Sequence, residues 1–158
     1  MIEISIPAVP LLGATGKVVR PCVLLYGAES GHWQRKVSQQ LRRCAAQVIK
    51  TDVKTFPQGQ LHPTTAWSVL IDYIEVADMI TCWCGDDKEA LYLNEWVMFT
   101  HALTVHPRKV ILGIPHDPSH PMAIGLQFLA RTLGIDEHNT LEATIAATQE
   151  RCRQGRMR

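Results

Sequence analysis

Four carboxylates, Asp86, Asp87, Glu89 and Glu95, fall within ten residues of one another in the 158-residue chain. Glu95 stands apart from the other three. With helical spacing it shares a stripe with Leu91, Met98 and Ala102, so its charge lies on or beside an apolar face, where an ionised group needs a partner or a purpose. It also lies near the start of its helix, where the helix dipole favours an anion. A carboxylate half-shielded from water, with a second carboxylate nearby, can transfer glycosyl groups: one attacks the anomeric carbon and the other manages the proton of the leaving group. The same pattern also suits a salt-bridged glutamate at a helix start.

The segments before and after these residues indicate what positions them. Cys22-Val23-Leu24-Leu25-Tyr26 is a continuous apolar run closed by Gly27-Ala28, as expected of a strand buried on both faces of a parallel sheet. Helical spacing follows over 32–48, with Trp33, Val37, Leu41, Cys44, Ala45 and Val48 in one stripe. Further strands are expected at Val48–Phe56, Met79–Cys84 and Lys109–Ile114. Helices are expected at Thr64–Val76, Leu91–Leu103 and Ala123–Leu133, the last with Gly134 as its C′ residue. A final helix opens at Asn139-Thr140, with Glu142 placed as a capping-box partner.

Strands alternating with helices predict an α/β fold: a flavodoxin-like open, mostly parallel sheet of four or five strands with helices on both faces. Such sheets bind ligands beyond the carboxyl ends of their strands, where the strand order reverses. Residues 26–33, 85–95 and 114–121 are expected to meet there. The first 20 residues, interrupted by Pro7 and Pro10, are expected to form an extended arm or hairpin. One domain then covers 21–150, and 151–158 is a basic, solvated tail.

Composition narrows the function classes. Sixteen Lys and Arg against fifteen Asp and Glu leave a formal net charge of +1, which argues against a broad nucleic-acid-binding face. No apolar run approaches the ~18 residues of a membrane span, and MIEISIPAVPLLG has no basic n-region, so neither membrane insertion nor export is expected. Five cysteines are an odd number, consistent with free thiols in the cytoplasm. Cys82-Trp83-Cys84 lacks a second Cys or His pair at zinc spacing, and Pro118 breaks any helix that would join His116 to His120, so no metal is expected. Neither GxGxxG nor GxxxxGK[ST] occurs. No cofactor is called for, since carboxylates supply nucleophilic and acid–base functions alone. The basic pairs Arg35-Lys36 and Arg42-Arg43 follow the first glycine loop and leave room for a phosphorylated substrate. Trp33, just after that loop, is placed to stack on a base.

The ordered set Tyr26-Gly27-Ala28, Trp33-Gln34-Arg35, Asp72…Ala77-Asp78-Met79-Ile80…Trp83, Leu93-Asn94-Glu95, Lys109–Pro115 and Thr140–Thr144 resembles the nucleoside 2-deoxyribosyltransferase superfamily, in particular its 2-deoxyribosyltransferase-like members. The resemblance covers about residues 22–147. It implies a flavodoxin-like fold and cleavage of an N-glycosidic bond. By resemblance Glu95 is the nucleophile that forms a covalent deoxyribosyl-enzyme, and a second base, or water, then takes the sugar. Glu89 matches the second active-site carboxylate, with Asp86 and Asp87 competing for that role. Asn94 orients Glu95 or contacts the sugar, Tyr26 and Gly27 line the pocket, and Asp72 contacts the base. The expected partner is a nucleoside or nucleotide, and the expected assembly a homo-oligomer. The chain departs from the family pattern at Trp96-Val97-Met98, bulkier than usual after the glutamate, which predicts a reshaped pocket. An N-glycosidase using the same glutamate and a non-catalytic nucleotide-binding protein are the alternatives.

Overall fold

A computed structural model of the chain describes residues 2–6, 19–27, 31–45, 47–51, 63–85, 93–115 and 121–156, with only the backbone described at 2–6, 31, 51, 63–69, 93–96 and 156. The elements run β1 (Ile2–Ile6), β2 (Cys22–Gly27), α1 (Gly31–Leu41), β3 (Gln47–Thr51), α2 (Pro63–Val76), β4 (Met79–Trp83), α3 (Leu93–Val105), β5 (Val110–Gly113), α4 (Pro121–Thr132), β6 (Glu137–His138) and α5 (Leu141–Arg156). All strand pairings are parallel, in the order β1-β3-β2-β4-β5-β6. This is the expected open α/β sheet, with five strands of four to six residues and a two-residue β6.

Every residue of β2, β4 and β5 is buried, as continuous apolar runs require in a sheet covered on both faces. Alternate residues divide between two cores. Cys22, Leu24, Tyr26, Ile80, Cys82 and Leu112 pack against α2, α3 and α4 through Tyr73, Phe99 and Leu126. Val23, Leu25, Met79 and Trp83 pack against α1 and α5 through Trp33, Val37, Leu41, Ile145 and Cys152.

Two expectations change and one is narrowed. Of the first 20 residues, expected as an extended arm or hairpin, 2–6 are extended, as an edge strand paired parallel to β3 in the same sheet as the rest, and 7–18 lie outside the described residues. The basic tail is helical through Arg156, because Cys152 is fully buried and Arg151 donates to the Arg108 and Val110 carbonyls, tying the last turns to β5. The N-cap of α5 is Thr140, whose Oγ1 accepts from the Ala143 N–H at 3.1 Å. That register puts Ala143, not Glu142, at the capping-box position, and Glu142 pairs with Lys36 of α1 instead. At the end of α4, Gly134 adopts φ 66°, and Ile135 N–H closes on the Ala130 carbonyl at 2.9 Å, as its C′ role demands.

Among the described residues no helix is long and apolar enough to cross a membrane.

Candidate functional site

The strand order reverses at β2. The chain steps outward from β2 to β3, then crosses back over β2 to β4. The carboxyl ends of β2 and β4 therefore flank the crevice where open α/β sheets take ligands. Gly27 and Trp83 are paired in register at those ends. A Cβ at Gly27 would run into the Trp83 carbonyl, so the glycine permits this close approach of the two strands.

One residue before the glycine, Tyr26 is 5% exposed and turns its ring toward the α2–α4 layer. It meets the Phe99 ring edge-on, with centroids 5.2 Å apart and planes at 86°, the arrangement favoured by the ring quadrupoles. Phe99 belongs to the buried stripe of α3, with Met98, Ala102 and Leu103. Position 95 lies one turn N-terminal to Phe99 on that stripe, in the first turn of the helix, beside position 94. The Tyr26–Phe99 contact thus fixes the first turn of α3 against the carboxyl end of β2, with the positive end of the helix dipole at position 95.

Compared with models of known protein families and with curated proteins, the chain matches none. Its chemistry has to be read from its own residues.

Tyr26, Gly27, Asn94 and Glu95 are brought to one edge of the sheet. Asp86, Asp87 and Glu89 lie outside the described residues, in the segment that joins Gly85 to α3. His116 and His120 lie outside them as well. Trp33 is 3% exposed, packed among Val23, Leu25, Val37 and Trp83 on the opposite face of the sheet from Tyr26. The structure does not bring these two aromatics together, and among the described residues Trp33 packs in the core on the α1–α5 side of the sheet. Asp72 is exposed on α2, nine residues beyond Pro63. At ~1.5 Å per residue it sits about 13 Å down a helix that runs back toward the amino ends of the strands. It therefore lies away from the edge that holds Gly27 and position 95.

Cys82 of β4 and Cys84, just past its end, are buried small thiols. Burial raises both, Cys82 with a further push from Cys84, so neither is a thiolate. Among the described residues no group of three or more His, Cys, Asp or Glu side chains gathers to hold a metal. His32 is exposed in the first turn of α1.

Two features were not foreseen. Phe99 was legible in principle, four residues after Glu95 and therefore on its stripe. Arg42 and Arg43, expected beside the first glycine loop, lie beyond the C-terminus of α1, at the amino edge of the sheet. There they line a cleft of about 570 Å³ with Gln39, Gln40, Gln149 and Arg153. Arg153 is distant in sequence, so no local pattern announced the meeting.

Proposed function

We propose that the protein cleaves the N-glycosidic bond of a nucleoside or nucleotide at the carboxyl edge of β2 and β4, and transfers the 2-deoxyribosyl group to a second base. The observation that carries this reading is the place of position 95: in the first turn of α3, one turn from the Phe99 ring that meets Tyr26 at the end of β2. The resemblance of residues 22–147 to the 2-deoxyribosyltransferase-like proteins supports it.

In the first step a Glu95 oxygen attacks C1′ of the sugar. The C1′–N bond breaks, and its electron pair leaves on the base nitrogen, which takes a proton from a neighbouring acid or water. In the second step the ring nitrogen of another base attacks C1′, the ester bond to Glu95 breaks, and the incoming nitrogen gives up its proton. Asp86, Asp87 and Glu89 hold the sugar hydroxyls and handle protons, Asn94 orients Glu95, and Tyr26 and Gly27 line the pocket. Trp33 and Asp72 have no part in this arrangement.

The expected homo-oligomer belongs to the same reading. Its support is an apolar strip on α4, where Ile124 and Phe128, one turn apart, are 51% and 74% exposed. A cytoplasmic setting is supported by five cysteines that are all buried, none of them in a disulfide.

Chromatographic release of free base from a panel of ribo- and deoxyribonucleosides and their monophosphates tests the reaction. Each substrate is run with and without an acceptor base, beside Glu95→Ala. Base exchange that disappears in the variant is the expected result. Release without exchange, again dependent on Glu95, makes the protein an N-glycosidase. Silence across the panel from folded protein overturns the glycosyl-transfer reading and leaves nucleotide binding without turnover.

A further inference from the structure

The cleft at the amino edge is built by the C-terminal ends of two helices. α1 contributes Gln39, Gln40 and, just past its end, Arg42 and Arg43, while α5 contributes Gln149 and Arg153. No carboxylate lines it among the described residues. Arginines near a helix C-terminus often serve only to satisfy its last carbonyls and oppose its dipole. At the end of α1, where Arg42 and Arg43 lie, the carbonyls are already taken. Gln39 O accepts from Arg42 N–H, Leu41 O from Cys44 and Ala45 N–H at 2.9 Å, and Gln40 O from the Gln149 side-chain amide at 2.9 Å. Among the described residues neither the Arg42 nor the Arg43 guanidinium has a hydrogen-bond or carboxylate partner. Arg153 has, among the described residues, only a long contact with Glu150 on its own helix, at 3.5 Å, and Glu150 also accepts from Gln154 at 3.1 Å. Arg151, by contrast, is committed to the carbonyls of Arg108 and Val110.

Three guanidiniums around one concavity present planar donor forks suited to phosphate oxygens. The volume, about 570 Å³, falls in the range of ~300–1,000 Å³ typical of small-molecule sites, well beyond a single phosphate ion. A net charge of +1 gives the chain no extended basic track for a nucleic-acid backbone. We infer that the α1–α5 cleft binds a small molecule carrying two or three linked phosphates, through Arg42, Arg43 and Arg153. Gln39 and Gln149 supply neutral polar groups for its remainder, and Arg153 exchanges its contact with Glu150 for the phosphates. The site stands at the opposite edge of the sheet from Gly27 and position 95, and is independent of the glycosyl-transfer reading.

Titration calorimetry on the intact chain tests it, with inorganic tripolyphosphate as the main probe and a nucleoside triphosphate and the matching free nucleoside as the other arms. The expected result is saturable binding of tripolyphosphate that survives Glu95→Gln. It should weaken by about tenfold or more in Arg153→Gln and in the Arg42→Gln/Arg43→Gln pair, since each removes charge-assisted hydrogen bonds. Tighter binding of the nucleoside triphosphate than of tripolyphosphate identifies an organic portion in the ligand; equal binding identifies the phosphates alone. Arg108→Gln, an exposed charge outside the cleft, serves as control, and thermal melts confirm that each variant folds. Absence of saturable binding overturns the inference, as does an equal loss in Arg108→Gln, which would reduce the effect to overall charge. Binding abolished by Glu95→Gln but not by the arginine variants would also overturn it, by assigning the anion to the other edge.

Discussion

The Trp83 ring fills the space that a side chain at Gly113 would need. The two residues are paired in register on β4 and β5, and a Cβ at Gly113 would collide with that ring and with the Thr144 hydroxyl of α5. On its other side Trp83 faces Gly27, where a Cβ would meet backbone instead of a side chain. A ring and a hydroxyl can give way by rotation; a paired strand cannot. Gly113→Ala is therefore expected to lower stability by about 1–3 kcal/mol, in the range of overpacked cores. Gly27→Ala is expected to be the more damaging of the two and to separate β2 from β4. Urea denaturation of both variants checks the order; equal midpoints would contradict it.

Phe99 links the core to position 95, so under the glycosyl-transfer reading its loss should be felt in turnover beyond its effect on folding. Phe99→Ala removes a fully buried ring and is expected to destabilise the protein by about 3–5 kcal/mol. Phe99→Leu keeps most of the volume but loses the edge-to-face contact with Tyr26. Under the glycosyl-transfer reading it should fold and lower kcat for base release about tenfold, as expected when a reacting group is displaced slightly. A Leu variant with unchanged kcat would show that the Tyr26 contact does not hold the site.

The hydroxyls of Thr81 and Thr148 meet 3.0 Å apart in the core, and Thr148 also contacts the Thr144 carbonyl at 2.8 Å. Because Thr148 donates to that carbonyl, Thr81 donates to Thr148. Removing either hydroxyl is then not equivalent. Thr148→Val leaves the Thr81 hydroxyl, 0% exposed, without its acceptor, and is expected to lose about 1–3 kcal/mol. Thr81→Val leaves Thr148 still bonded to its own helix and is expected to lose less. A double-mutant cycle by thermal unfolding reads the asymmetry directly.

Much of the fold was legible because its signals are local. An apolar run closed by glycine marks β2, a stripe at helical spacing marks α1, and Gly134 ends α4 where a left-handed residue is needed. What was not legible depends on partners distant in sequence. Residues 2–6 become a strand only because β3 offers a free edge, and two residues suffice for β6 because β5 is already in place. The end of α5 reads as a solvated basic segment until Cys152 is seen buried on Met79, 3.6 Å from its sulfur. At the candidate site, Glu95 stood out as a charge on an apolar stripe. The burial of Trp33 did not, since an aromatic after a glycine loop suits a ligand and a core equally well.

The start of α5 illustrates the same limit at one residue's resolution. Asn139 and Thr140 are adjacent candidates for the N-cap, and the choice decides whether Glu142 closes a capping box. The Thr140 side chain makes the bond to Ala143 N–H, and Glu142 turns to Lys36, whose hydrogen bond, helped by its charge, holds the Glu142 carboxyl below the usual range. Thr140→Ala is accordingly expected to lower stability by about 1 kcal/mol. Glu142→Gln removes only an exposed ion pair, and its Tm should move little, and still less in high salt. A larger loss from Glu142→Gln than from Thr140→Ala would restore the capping box.

His138, at the end of β6, gives stability a pH dependence of known sign. Burial holds its imidazole below the ordinary histidine value, outweighing the upward pull of Asp136, while Arg151 adds to the depression. The folded state therefore prefers the neutral ring, and the unfolded chain binds a proton more readily. The resulting stabilisation is fully present above the unfolded value near ~6.5 and is lost as pH falls through the lower folded value. Between those limits the unfolding free energy should rise with pH. In His138→Gln that part of the slope should vanish while the rest of the profile stays. Guanidinium denaturation at intervals from pH 5 to 8, wild type beside variant, measures it. A slope of opposite sign, or one unchanged by the substitution, would mean that the ring is charged in the folded protein, with Asp136 outweighing burial.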